Sequence, residues 1–229
     1  GGGNHSIAWS EDGKNWNGVT GKSIFSGGGN GVAWNGVAGY GSMWVATGSG
    51  NNTVAWSEDG KNWTGLGNTV FTESGNTLAW NGSIWVATGS GTNTLAWSND
   101  GGNWTGLGNT VFSNKGTGVA WNGSIWVATG SGNNVFAWSN DGKNWTGVNQ
   151  FIFQVEDYYN TPRVAWNGSV WVAVGGIGNT LAWSSDGKNW IGSYSRSYST
   201  VWPFGGGVGR GIASKNVLPY TNQWASPVT

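Results

Sequence analysis

The chain has 229 residues with ten basic and ten acidic side chains, no cysteine, and charged residues at only 9%. So thin and mixed a charge supply excludes a nucleic-acid footprint and an anionic-membrane surface, and the lack of cysteine excludes disulfides and thiolate chemistry. Low charge with few aliphatics would suit a disordered chain, but 14% aromatic residues, 20 of them tryptophan, supply the burial that disorder lacks. Apolar runs are too short for a membrane span, and no signal-peptide pattern opens the chain.

In chain order, the first element is the strand-like H-S-I-A-W of residues 5–9, followed by the turn S-E-D-G-K-N-W ending on Trp16. From residue 31 a longer unit begins. Its clearest copy spans 77–112, where T-L-A-W (77–80) reads as a strand stopped by Asn81-Gly82. S-I-W-V-A-T (83–88) reads as a second strand, G-S-G-T-N (89–93) as a loop and T-L-A-W-S (94–98) as a third strand. Asp100-Gly101 marks a tight turn before a fourth strand at Asn103-Trp104-Thr105. Alternation places Ile84 and Val86 on one face with Trp85 and Ala87 on the other, and sets Leu95 and Trp97 opposite Ala96. Val70-Phe71 and Val111-Phe112 read as plugs in the connections between units.

The turn tryptophan recurs at Trp16, Trp63, Trp104, Trp145 and Trp190, at spacings of 47, 41, 41 and 45. That period is the length of a four-stranded propeller blade, so the pattern predicts an all-β, five-bladed β-propeller of four-stranded antiparallel blades. Repeats fall at about 31–70, 77–112, 118–153 and 163–200 within a single domain, 1–229. Most tryptophans are expected in the core, their indole N–H groups held by loop carbonyls, Asn or Ser. The chain starts at the third strand of a unit. Residues 211–225 align without a gap on 31–45, so 205–229 are expected to supply the two strands that 1–20 lack and to close the ring.

The S-x-D-G-x-N-W turns resemble the Asp-box of sialidases and related propellers, shortened by one residue between Asp and Gly. The resemblance implies a structural hairpin in which Asp12, Asp59, Asp100, Asp141 and Asp186 are turn-locking acceptors. In blade number and repeat length the chain is also similar to the five-bladed lectin tachylectin-2. Its repeat motif is not matched here, so no binding residues are carried over.

Catalysis is not expected. Outside the turns the acids are Glu73, Glu156 and Asp157, and the last two are sequence neighbours that an extended backbone points apart. The arginines Arg163, Arg196 and Arg210 all lie in the last third, and His5 is the sole histidine. Neither a nucleophile–base pair, a metal set nor a phosphate loop can be assembled, so no cofactor or metal is expected.

Binding is the leading expectation. The loops 48–52, 89–93, 130–134 and 176–179 are small, polar and nearly alike, which suits several weak equivalent sites for sugar hydroxyls. Asn52, Asn93, Asn134 and Asn179 are their candidate ligand-binding residues. Segments 149–163 and 193–204 break the repeat, and their Tyr158, Tyr159, Arg196 and Trp202 suit sugar stacking or a protein interface. The expected function is carbohydrate binding, with a protein-binding or structural module as the alternative; a glycosidase lacks the carboxylates it would need.

Overall fold

The computed structural model describes residues 5–19, 24–150, 152–154, 162–175, 177–178 and 181–192. The regular structure of these residues is entirely β, and no helix among them is long and apolar enough to cross a membrane. A two-stranded hairpin, β1 (Ala8–Trp9) and β2 (Asn17–Gly18), comes first. Three four-stranded units follow: β3 (Gly28–Trp34), β4 (Trp44–Ser49), β5 (Val54–Ser57), β6 (Thr64–Gly65); β7 (Ser74–Trp80), β8 (Trp85–Ser90), β9 (Leu95–Ser98), β10 (Thr105–Gly106); β11 (Lys115–Trp121), β12 (Trp126–Ser131), β13 (Phe136–Ser139), β14 (Thr146–Val148). After β15 (Phe153–Gln154) the fourth unit is β16 (Arg163–Trp166), β17 (Trp171–Val174), β19 (Leu181–Ser184) and β20 (Ile191–Gly192), with β18 (Ile177–Gly178) pairing β15. Every unit runs antiparallel in sequence order.

The strands of the second unit are bounded differently from the sequence reading: the second is Trp85–Ser90, running two residues into the expected loop, and the third starts at Leu95. The first strand of the second unit begins at Ser74, not Thr77, because a register shift between Gly75 and Thr77 lets Ser74 and Gly75 also pair with β8. The fourth strand is Thr105–Gly106, since Asp100 captures the amides of Gly102 and Asn103 and wraps them into the turn.

The register shifts have a second consequence. Each leaves one residue outside the ladder, its side chain free to bond across to the next unit. Asn30 Nδ2 donates to Gly75 O at 2.9 Å, Asn76 Nδ2 to Gly116 O at 2.7 Å, and Thr117 Oγ1 to Pro162 O at 2.6 Å. The first strands of successive units therefore lie against one another, stitched by the same device.

Apolar residues alternate between the seams on either side of each sheet. Trp85, Ala87 and Ala96 pack with Val45 and Val54 of the preceding unit; Ile84, Val86 and Leu95 pack with Trp126 and Ala128 of the following one. Phe25, Phe71 and Phe112 are fully buried in the connections, each ring where Gly48, Gly89 or Gly130 has no room for a Cβ. Of the tryptophans, Trp85, Trp126 and Trp171 are wholly enclosed, and truncating one to alanine would cost about 3–5 kcal/mol. The expectation that most tryptophans are core is not met: among the described residues only Trp85, Trp126, Trp171 and Trp190 are buried, while Trp44 and the first-strand Trp80, Trp121 and Trp166 are partly buried. The third-strand set lies further out, with Trp56, Trp97 and Trp138 only partly buried.

Candidate functional site

The five turns share one geometry. At 139–145, Ser139 Oγ donates to Asp141 Oδ1 at 3.0 Å and accepts Gly142 N at 2.9 Å. Asp141 Oδ1 also takes the amides of Lys143 and Asn144, and Oδ2 takes Asn144 Nδ2. Trp145 Nε1 closes the loop on Gly142 O at 2.9 Å. The pattern repeats around Asp12, Asp59, Asp100 and Asp186. The glycine sits at positive φ (71° at Gly142), which lets its carbonyl meet the indole.

These bonds hold the carboxyls of Asp12, Asp59, Asp141 and Asp186 well below the usual carboxylate range, and lower Asp100 as well. The backbone N–H of Asn15, Asn62 or Asn189 dominates at Asp12, Asp59 and Asp186. At Asp100 and Asp141 partial burial is the largest single effect and pushes upward, but the combined donors outweigh it. An ionised acceptor so occupied is a poor proton donor or acceptor near neutrality.

Indole N–H groups find the loop carbonyls expected of them at Trp63, Trp104, Trp145 and Trp190. Trp126 and Trp171 depart from that expectation. Their buried Nε1 atoms have no hydrogen-bond partner and face the turn glycines Gly142 and Gly187.

Asn52, Asn93 and Asn134 lie on equivalent loops, but their carboxamides bond backbone. Nδ2 donates to Ile24 O, Val70 O and Val111 O at 2.7–2.8 Å, and the Oδ1 atoms of Asn52 and Asn93 accept Gly67 N and Gly108 N. Each amide lies flat on Gly65, Gly106 or Gly147, where a Cβ would collide with it. The side chains staple each second-to-third-strand loop to the connection leaving the fourth strand. A second tie comes from hydroxyls: Ser26, Thr72 and Ser113 accept the amides of Asn51, Thr92 and Asn133 at 2.9–3.1 Å. The result is one rigid polar loop presented three times, with Asn51, Thr92 and Asn133 exposed at its tip. Asn179, Tyr158, Tyr159, Arg196, Trp202 and the closing segment 205–229 lie outside the described residues.

Sequence reasoning did not find the glycine beneath each staple, although the recurring Thr-Gly pairs at 64–65, 105–106 and 146–147 carry that signal. It also did not find the lysines that join units. Lys61, Lys143 and Lys188, from three of the turns, lie over the indoles of Trp9, Trp97 and Trp138 at 4.1, 4.0 and 3.9 Å.

A cleft of about 600 Å³ opens between the hairpin and the first four-stranded unit, walled by Trp9, Trp16, Trp44 and Trp63 with Asn30 and Lys61. In the later described seams Gly101, Gly142 and Gly187 each face two side chains of the preceding unit's second strand and the residues before it, whereas the atoms nearest Gly60 belong to Trp44. Arg163 is partly buried with its buried Nη1 unpartnered, and burial lowers its pKa. Burial first, then Arg163, lowers Lys115 on the neighbouring strand. Among the described residues no group of three His, Asp or Glu could hold a metal.

No protein-family model and no curated protein matches the sequence. Solved structures do match. The crystal structure of a nidogen/laminin complex is similar over 76% of this chain at 14% identity and a TM-score of 0.55. YCF48 from Cyanidioschyzon merolae covers 74% at 15% identity and 0.51. An auxiliary nutrient binding protein from Bacteroides thetaiotaomicron covers 76% at 10% identity and 0.50. The likeness is one of fold, of β-propeller type. The chain spans 65%, 57% and 44% of those three chains.

Proposed function

We propose that the chain is a non-catalytic recognition module: a five-bladed propeller, its first blade completed by residues 205–229 beside the hairpin, that binds carbohydrate through repeated polar loops. The carrying observation is the loop stapled identically at 48–52, 89–93 and 130–134. A surface already tied down loses little conformational freedom when it binds, and equal sites around a ring multiply a weak affinity. Asn52, Asn93 and Asn134 act as positioning residues in this reading. The sugar-facing groups are the exposed side chains of Asn51, Thr92 and Asn133 and the nearby backbone. Against catalysis stands the engagement of five aspartates as turn acceptors. The cleft supports completion of the first blade by the chain's own end, since in the later described seams the turn glycines meet side chains of the preceding unit.

A glycan array followed by titration tests the reading. Asn51 Oδ1 also accepts Ser26 N at 2.9 Å, so replacing Asn51, Thr92 and Asn133 together by alanine should weaken sugar binding several-fold and lower the melting temperature only by the loss of that one exposed bond. No binder at millimolar sugar would remove the carbohydrate reading. Binding that survives the triple variant would move the site to 149–163 and 193–204, where a protein partner is the second reading. A fold shared with a component of a nidogen/laminin complex is compatible with that alternative.

A further inference from the structure

Three of the four described seams between successive units are closed by the same two-part contact, and the fourth keeps its tryptophan half. The later unit's turn offers a lysine and a tryptophan; the earlier unit's third-strand region offers a tryptophan and an apolar residue. Lys61 lies over Trp9 while Trp63 packs in the cluster of Ile7. Lys143 lies over Trp97 while Trp145 joins Leu95. Lys188 lies over Trp138 while Trp190 stacks on Phe136 at 4.0 Å and an 11° interplanar angle. In the remaining seam Trp104 joins Val54, with Gly102 in the lysine position.

One half of this contact is left over at each end of the described chain. The hairpin carries Lys14 and Trp16, and Trp16 is 64% exposed; the last unit carries Leu181 and Trp183, and Trp183 is 43% exposed. Such exposure of an indole is out of keeping with its equivalents, since Trp63 and Trp138 are both partly buried. The unused pieces are complementary in chemistry: a cation for an indole face and an indole for an aliphatic side chain.

We propose that the hairpin 5–19 docks its second face on the last unit, Lys14 over Trp183 and Trp16 against Leu181. The hairpin then serves as the earlier partner in one seam and the later partner in another, making a fifth seam from described residues alone. The occupant of the exposed face is the chain's own hairpin. The same contact between two copies would be head-to-tail and would build open chains of molecules. Intramolecular closure forestalls this because the hairpin is tethered at high effective concentration. The inference rests on the five-bladed reading proposed above, but not on sugar binding.

Hydroxyl-radical footprinting of the full chain, with oxidation read at each tryptophan by mass spectrometry, tests it at two widely separated protein concentrations. Trp16 and Trp183 should oxidise at the rates of their equivalents Trp63 and Trp138, independently of concentration. Lys14→Glu should raise the Trp183 rate several-fold and Lys14→Arg should not, while an unchanged Trp138 rate shows that both variants are folded. Rates at Trp16 and Trp183 several times those of their equivalents at both concentrations would overturn the proposal. So would protection that appears only at the higher one, the mark of a second copy. Trp44 reports separately on the cleft: rapid oxidation there with Trp16 and Trp183 protected would sink completion by 205–229 and leave this seam standing.

Discussion

Gly102 occupies the position that Lys61, Lys143 and Lys188 hold in their turns, so among the described residues Trp56 lacks the cation that covers Trp9, Trp97 and Trp138. Replacing Gly102 by lysine should restore it. A Cβ there would meet only Trp56 Nε1 at 3.8 Å and Asp100 Oδ1 at 3.9 Å, both ordinary contacts, and the residue is not among the positive-φ glycines. A cation over an exposed indole contributes about 0.5–1 kcal/mol. Removing a glycine from the unfolded chain adds about 0.4–1 kcal/mol, and partial ordering of the lysine stem takes some of this back. A net gain of about 0.5–1 kcal/mol raises the melting temperature by about 1–4 °C for a chain of this size. Thermal unfolding followed by circular dichroism should rank Gly102→Lys above Gly102→Met, and that above Gly102→Ala. A lysine variant no better than the methionine one, or a gain that persists when Trp56 is leucine, would refute the cation-on-indole account of the seam.

The turn glycine should be far less replaceable than an ordinary turn glycine. Gly142→Ala places a Cβ 2.8 Å from Ile84 Cδ1 and Val86 Cγ2 at φ 71°, and should cost about 2–4 kcal/mol in urea unfolding. Gly123→Ala, at φ 98° with nothing nearby, should cost only about 1–2 kcal/mol; equal costs would contradict the packing assigned to the turn. Asn93→Ala leaves Val70 O and Gly108 N without their partner and should cost about 1–3 kcal/mol; a neutral effect would mean the staple is idle. The turn aspartates are depressed on folding, so they contribute stability that is fully present above their unfolded value near 3.8. That stability is lost as pH falls below 3.8 toward the folded values. The urea midpoint should therefore hold from pH 7 to 5 and drop below 4, by less in Asp186→Asn; a midpoint indifferent to acid would contradict the geometry.

The repeat was legible because its signals are local. Asn81-Gly82 and Asp100-Gly101 mark turns by chemistry, both glycines adopt positive φ, and the alternation of Ile84, Trp85, Val86 and Ala87 assigns each face to the correct seam. The fourth strand is Thr105–Gly106 and not Asn103-Trp104-Thr105 because a carboxylate's grip on the following amides outweighs the strand preference of tryptophan. In the sequence the loop asparagines display only the chemistry they could offer a ligand. Their partners, such as Val70 O 23 residues before Asn93, become visible only once the connection has folded back. The lysine contacts were hidden for the same reason: Lys143 and Trp97 belong to different units, and nothing local ties one to the other.

Amide shifts followed by NMR during titration with a sugar identified on the array bear most directly on the functional account. Repeated loop sites predict that the amides of Gly50, Gly91 and Gly132 move together, at matching sugar concentrations, with the turn amides around Asp59, Asp100 and Asp141 unmoved. Shifts confined to one unit, or to none of these three loops, would contradict it.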